Sequence, residues 1–327
     1  MDLYAFLSLF GGLALFLYGM SLLGGGLEAV SRGWLPKALE RLAGSPLRGA
    51  LLGAGVTAAI QSSSAATVLV VGLVDAGAMS LRQAIGVILG ANVGTTATAH
   101  LLALGGGPRL LSPQSLTPAL AAAGGLLLLL GRKDRARQAG QLLLGLAILF
   151  TGMLQMEAAV APLRDHPAFP RLFRTISDPL LGVLAGAGVT AVIQSSSASV
   201  GILQALSSTG AVTWGAAAPV ILGQNIGTCV TPLLASAGAS ANAKRAAAAH
   251  LLINLGGTGV FLAGLYLLRG AGGAAFWDRP VDKAGIAWFH TVFNLAAAGM
   301  FLPLTGRLER ALTGRGLKRE MYSSPLL

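Results

Sequence analysis

Charge is scarce in this chain: 11% of its 327 residues are Asp, Glu, Lys or Arg, where a soluble domain carries about a quarter. That shortage excludes an ordinary soluble fold, whose surface has to be wetted. Cysteine is nearly absent. The lone Cys229 sits inside an apolar run, so no disulfide forms within the chain, and cysteine usage cannot identify the compartment. Acidic residues number 12 against 23 basic ones, a formal net charge of +11. The basic residues nevertheless lack the interleaved aromatics of a base-stacking surface, and nucleic acid is excluded as a partner. They lie in short connections between apolar runs, where the positive-inside rule accounts for them. No basic segment precedes the first apolar run and no small-residue cleavage site follows it. The run reads as a retained spanning helix and not as a signal peptide.

Apolar sequence is what the chain has in quantity. Hydrophobic residues make up 54% of it, mean hydropathy is +0.71, and runs of roughly 20 uncharged residues, enough to cross a bilayer, recur. The 46 glycines fit membrane helices, where small residues let backbones approach. The fold class expected is an all-α polytopic membrane protein embedded in a lipid bilayer.

The chain also repeats itself at a fixed interval. Gln61-Ser62-Ser63-Ser64-Ala65 returns as Gln194-Ser195-Ser196-Ser197-Ala198, an offset of 194 − 61 = 133. At the same offset, Gly53 to Ala58 returns as Gly186 to Ala191 and Gly19-Met20 as Gly152-Met153. Val87 to Gly90, Asn92 and Gly94-Thr95 return as Val220 to Gly223, Asn225 and Gly227-Thr228. A register kept without gaps over this much chain marks a duplicated structural unit.

Seven crossings are expected: Leu3–Leu23, Leu81–Leu104, Leu116–Leu130, Ala139–Met156, Trp214–Ala237, Ala246–Leu268 and Ala284–Leu304. Polar connections are expected from Glu28 to Leu42 at the interface and through Arg164, Arg171 and Arg174. Residues 45–76, which start at the Ser45-Pro46 helix signal, carry apolar arms of about 15 residues on either side of the serine word, each roughly 22 Å of helix. That is too short to cross. The pattern reads as a re-entrant hairpin, a shape tolerated at depth only where it lines a cavity or is buried in protein. Residues 178–208, which start at Asp178-Pro179, read as the second hairpin. Gly90 to Thr96 and Gly223 to Thr228 are expected to break their crossings near the middle. The division is then 1–133 for the first repeat, 134–270 for the second, and 271–327 for a further crossing and a basic tail. Three crossings per repeat is an odd number, so the second copy is inverted relative to the first, an arrangement common in secondary transporters. Of the 23 Lys and Arg, 16 fall on one side of this topology and 7 on the other. The majority side is expected to be cytoplasmic, with the N-terminus outside and the C-terminus inside.

The repeated polar residues carry neutral chemistry. Ser62, Ser63, Ser195 and Ser196 offer hydroxyl donors where the second arm of each hairpin begins. Gln61 and Gln194 offer carbonyl oxygens, with Thr57 and Thr190 four residues earlier on the same face. Asn92, Thr95, Thr96, Asn225 and Thr228 add amides and hydroxyls. No charged residue interrupts either tract. Dipoles and hydroxyls suit a hydrated anion co-bound with cations, since a permanently charged cage is expensive in a membrane. Helix packing explains single serines well, but not four consecutive polar residues used twice in register. The matched pairs His250/Asn254 and His290/Asn294, one face of a helix each, are expected to be interfacial histidines bonded to their neighbours rather than a proton relay; His100 is read the same way. Asp75 and Glu157 are expected at element ends, and Met20 and Met153 as packing or lipid-facing residues.

Two Gln-Ser-Ser-Ser words, each followed by Gly-x-Asn-x-Gly-Thr, resemble the sodium/phosphate cotransporter family, the bacterial relatives of the type II cotransporters of animal epithelia. The resemblance covers nearly the whole membrane part. It implies Na⁺-coupled symport of inorganic phosphate by a multi-pass protein of the cell (inner) membrane, with sodium ions co-transported and a homodimer as the expected assembly. Phosphate is implied at Ser62, Ser63, Ser195 and Ser196 with Asn92 and Asn225 close by, and sodium at Gln61, Gln194, Ser64, Ser197, Thr95 and Thr228. Ala91 and Thr96 of the first half correspond to Gln224 and Cys229 of the second, so the halves are similar but not identical. Many bacterial relatives carry a C-terminal soluble helical domain, which is not expected here. The alternatives are another small oxyanion or a carboxylate as cargo, or net phosphate export. An intramembrane serine hydrolase is disfavoured, since no His, Asp or Glu stands near either motif and no Gly-x-Ser-x-Gly elbow occurs.

Overall fold

The structure is a computed structural model, and it describes residues 3–31, 45–106, 112–162, 175, 177–273 and 275–314. Most of the Glu28–Leu42 connection, the Arg164, Arg171 and Arg174 connection and the basic tail lie outside the described residues. Among the described residues the regular elements are helical: α1 (Leu3–Ser31), α2 (Pro46–Ile60), α3 (Ser63–Asp75), α4 (Leu81–Leu102), α5 (Pro113–Leu130), α6 (Asp134–Val160), α7 (Pro179–Ile193), α8 (Ser196–Ser207), α9 (Trp214–Gly227), α10 (Val230–Ala235), α11 (Ala241–Leu268), α12 (Lys283–Phe301) and α13 (Thr305–Thr313). Among the described residues, seven stretches are long and apolar enough to cross a membrane: Leu3–Gly26, Leu81–Leu102, Pro113–Leu130, Asp134–Val160, Trp214–Ala235, Ala241–Ala271 and Lys283–Phe301. The protein is a multi-pass membrane protein.

Element boundaries keep the sequence offset. Helices α2, α3 and α4 begin at residues 46, 63 and 81, while α7, α8 and α9 begin at 179, 196 and 214, each 133 later. The same pairs pack most closely in both halves, α2 on α4 and α7 on α9. Glycines make this possible. A Cβ at Gly86, Gly90 or Gly94 would collide with the backbone oxygen of Pro46, Ala50 or Ala54, and one at Gly223 or Gly227 with that of Val183 or Ala187. Four-residue spacing keeps these glycines on one face.

Helix α1 packs against α6 through glycines as well. Gly12 lies on Gly152 and Gly19 on Gly145. Residue numbers fall along one helix as they rise along the other, so the crossing is antiparallel. Gly145 and Gly152 are Gly12 and Gly19 displaced by 133, so each contact pairs a residue with its partner's counterpart. Helices α11 and α12 cross in the same sense: Gly257 faces Ala297, and the rings of Phe261 and Phe293 meet edge-on at 5.0 Å. The buried stripe of α12, from Ile286, Ala287 and His290 to Phe293, Asn294 and Ala297, matches Ala246, Ala247, His250, Ile253, Asn254 and Gly257 of α11 at a constant offset of 40.

The expected mid-membrane break needs correction in the first half, while in the second it falls at the end of the expected stretch. Helix α4 is continuous through Gly90–Thr96, and α9 runs through Gly223 to Gly227, with the interruption falling afterwards at Thr228 and Cys229. The glycines read as breakers are contact residues for α2 and α7. The hydroxyls of Thr95 and Thr96 turn back onto the Ala91 and Val93 oxygens of their own helix.

Candidate functional site

Each serine word forms a two-residue turn between helices. Ser45 and Asp178 cap the incoming helices α2 and α7. Those helices end at Gln61 and Gln194, both left-handed at φ 57° with ψ 24° and 25°, and the glutamine N–H still reaches Thr57 O or Thr190 O. Ser62 and Ser195 are then extended (φ −146° and −144°), and their hydroxyls accept the Ala65 and Ala198 N–H groups as N-caps of α3 and α8. The capping serines thus follow a known rule. The glutamines break one, since they are the non-glycine residues with positive φ among the described residues, and glycine takes that conformation at lower cost. Strain of this kind persists where the surroundings hold it and often marks a working part of a protein.

The side chain of Gln61 has a use: its Oε1 accepts from the Thr98 hydroxyl at 2.8 Å, while its amide donates to Ala58 O. Gln194 is exposed. Thr231 stands where Thr98 does, 133 residues on, and its hydroxyl has no partner. The two tips touch. Ser64 Oγ donates to Gln194 O at 3.4 Å, and a cavity of about 540 Å³ beside them is lined by Gln61, Ser62 and Ala65 of the first tip, Ser195 of the second, and Leu17 and Met20 of α1. Ser63, Ser196 and Ser197 are buried at the starts of α3 and α8, where the first N–H groups have no intrahelical partner. Seven of the predicted site residues (Gln61, Ser62, Ser63, Ser64, Gln194, Ser195 and Ser196) therefore belong to the tips, with Ser197 next in line.

The remaining predicted residues lie on α4 and α9 or just beyond, and they are engaged elsewhere. Asn92 Nδ2 donates to Asn254 Oδ1 at 3.2 Å, and His250 Nε2 bonds Asn92 Oδ1 at 3.0 Å. Asn254 in turn donates to His250 O and Cys229 Sγ. Asn225 folds back onto Ile221 O, and the hydroxyls of Thr95 and Thr228 bond their own helices at Ala91 O and Gln224 O. The histidines need a second correction. His250 and His290 are fully buried and not interfacial, because α11 brings His250 against Asn92 of α4 and α12 packs on both α4 and α9 in the interior. The i, i+4 spacing of His and Asn was the available signal, and the long-range partner, Asn92, had none. Thr57 and Thr190, whose Cβ atoms would lie 2.8 and 2.7 Å from a Cβ added at Gly94 and Gly227, have buried hydroxyls without partners. His100 is half-buried and bonds Thr291. Glu157 forms an ion pair with Lys283. Exposed Asp75 accepts from Ser240 N–H at 2.7 Å, a contact that holds its carboxyl below the ordinary value of 3.8. Met153 is fully buried and Met20 lines the cavity.

No solved structure matches this chain. It is 32% identical over 298 residues to "Uncharacterized protein YqeW" of Bacillus subtilis (strain 168), covering 91% of this chain and 94% of that one. It is 29% identical over 307 residues to "Putative inorganic phosphate export protein YjbB" of Escherichia coli (strain K12), covering 93% of this chain and 54% of the relative, so it spans about half of that protein's length. A 60-residue stretch, 18% of this chain and 9% of the relative, is 43% identical to "Sodium-dependent phosphate transport protein 2B" of Homo sapiens. The profile of a family described as Na⁺/Pi-cotransporter matches residues 15–158 and 166–276, which take in both tips and both Gly-x-Asn-x-Gly-Thr stretches. On that match the chain belongs to the Na⁺/Pi-cotransporter family, whose members are transporters and not enzymes.

Proposed function

We propose that this protein moves inorganic phosphate across the cell membrane together with Na⁺, by alternating access around the two tips. The observation that carries the reading is their meeting: Ser64 of one donates to Gln194 of the other beside a cavity that both tips line. Two helix starts converge there, each a partial positive charge with free N–H groups, which suits a phosphate. Ser62, Ser63, Ser195 and Ser196 supply the hydroxyls. The cavity lining includes no charged side chain, so the anion's charge is met by co-bound sodium. Oxygens for it come from Gln61, Gln194, Ser64 and Ser197, with Thr95 and Thr228 nearby. Asn92 and Asn225 are occupied by other partners, and we assign them to holding helices rather than to phosphate.

The antiparallel crossing of α1 with α6, whose contact glycines are related by the 133-residue offset, supports a two-fold axis in the membrane plane, and so two inverted repeats, residues 1–133 and 134–270, with 271–327 adding α12 and the tail. Helices α2, α3, α7 and α8 have 15, 13, 15 and 12 residues, too few to cross, which supports re-entrant hairpins. The basic majority places the first hairpin's open end and the C-terminus in the cytoplasm and the N-terminus outside.

The test is radiolabelled phosphate uptake into proteoliposomes. Uptake requires an inward Na⁺ gradient, and Ser63→Ala or Ser196→Ala lowers it roughly 10- to 100-fold, the worth of one hydrogen bond to a charged group. Uptake indifferent to sodium and to both serines would refute the reading. Similarity to a protein named for phosphate export favours a second direction of net flux. Efflux from phosphate-loaded vesicles under an outward gradient measures it.

A further inference from the structure

The two halves share a backbone design but not a hydrogen-bonding state. In the first half Thr98 donates to Gln61, and His250 and Asn254 grip Asn92. In the second half every corresponding bond is missing. The hydroxyl of Thr231, both ring nitrogens of His290 and Oδ1 of Asn294 are buried without partners, while Asn225 is turned onto Ile221 O of its own helix. The correspondence is geometric as well as numerical. Asn225 follows Asn92 by 133, and His290 and Asn294 follow His250 and Asn254 by 40. Helices α9 and α12 start side by side, joined by Trp214 N–H to Arg279 O at 3.1 Å and Val281 N–H to Val212 O at 2.9 Å. One turn before Asn225 and His290, Ile221 and Ala287 share a core cluster, as Ile88 and Ala247 do in the first half.

Access differs in the same way. The cavity beside the first tip is lined by Leu17, Met20 and exposed Ala65. Their counterparts Phe150, Met153 and Ala198 are fully buried, and the ring of Phe16 is packed onto Gly201 there. The first half is gripped, with Ala65 exposed beside its tip; the second is released, with Ala198 buried behind its own.

We infer that His250/Asn254 and His290/Asn294 are alternating clasps, positioning residues that close in turn on Asn92 and Asn225 as access passes from one side of the membrane to the other. A neutral imidazole carries an N–H, so a buried histidine with no acceptor is penalised. When the α12 clasp closes on Asn225 that penalty is removed from the second half and reappears at His250 in the first. The two arrangements thereby stay close in free energy, as a reversible carrier requires. In the opposite arrangement Ala198 lines a cavity and Ala65 is covered.

The inference rests on the transport reading, and one experiment separates the two. Single cysteines Ala65→Cys and Ala198→Cys, in a full-length Cys229→Ser background in liposomes, are labelled with a thiol reagent, and phosphate uptake is measured in the same vesicles. The pair His290→Ala/Asn294→Ala holds the described arrangement and raises the ratio of Ala65→Cys to Ala198→Cys labelling. The pair His250→Ala/Asn254→Ala lowers it, each by about tenfold, and the donor-retaining His250→Gln and His290→Gln move the ratio back toward the unmodified value. Damage to packing alone does not move the ratio in opposite directions. Shifts in one direction only, or none, in protein that transports phosphate overturn the clasps. Opposite shifts in protein that transports none uphold the clasps and overturn the transport reading.

Discussion

The first tip and the second have the same main chain within a few degrees, at Gln61–Ser62 and Gln194–Ser195, yet their side chains live differently. Gln61 is bonded to Thr98 whereas Gln194 is exposed. The difference teaches that the repeated sequence preserves the course of the main chain, namely caps, glycine contacts and turn geometry. Which partners the polar side chains take is free to differ between the halves. An unpaired group in one half is then informative, because its counterpart shows the bond that could have formed.

The largest effects test where the halves agree. Gly90→Ala and Gly223→Ala each force a Cβ into a carbonyl oxygen of the facing helix, and each is expected to destabilise by about 1–3 kcal/mol, as overpacking does. Gly55→Ala and Gly188→Ala meet nothing within 4 Å and are expected to be neutral or stabilising by up to about 1 kcal/mol. Thermal unfolding of the purified variants measures all four, and unequal losses at Gly90 and Gly223 would break the equivalence of the halves.

A smaller effect tests where they differ. Thr98→Val removes the bond to Gln61 and is expected to cost about 1 kcal/mol, while Thr231→Val removes a buried hydroxyl with no partner and is neutral or slightly stabilising. Equal costs would show that the halves are paired alike. The smallest effect is at Asp75, which ties the end of α3 to Ser240; Ser208, at the matching position, bonds its own helix at Ala205 O. A carboxyl lowered on folding stabilises above its unfolded value and loses that contribution as pH falls through the folded one. Asp75→Asn is expected to lower Tm slightly at neutral pH, with the gap to wild type closing below the ordinary value of 3.8.

Much of this molecule was legible in its residues. The seven crossings, the Ser45 and Asp178 helix starts and the position of both turns follow from apolar run length, capping chemistry and a gap-free repeat. The glycines at 90, 94, 223 and 227 were misread because the same residue that breaks a soluble helix lets membrane helices touch, and only the facing helix decides which. The grip of His250 and Asn254 on Asn92 was hidden for a related reason: its partners stand 158 and 162 positions apart, and no local pattern announces them. The meeting of the tips depends on how the two halves cross, which glycine contacts between α1 and α6 set at a distance from either serine word.

The most direct measurement is a density map of the protein in a lipid nanodisc with phosphate and sodium present. The account predicts one anion between the tips, within hydrogen-bonding distance of Ser62–Ser63 and Ser195–Ser196. An anion bound away from both tips, or serine words lying on helices that cross the bilayer and face lipid, would contradict it.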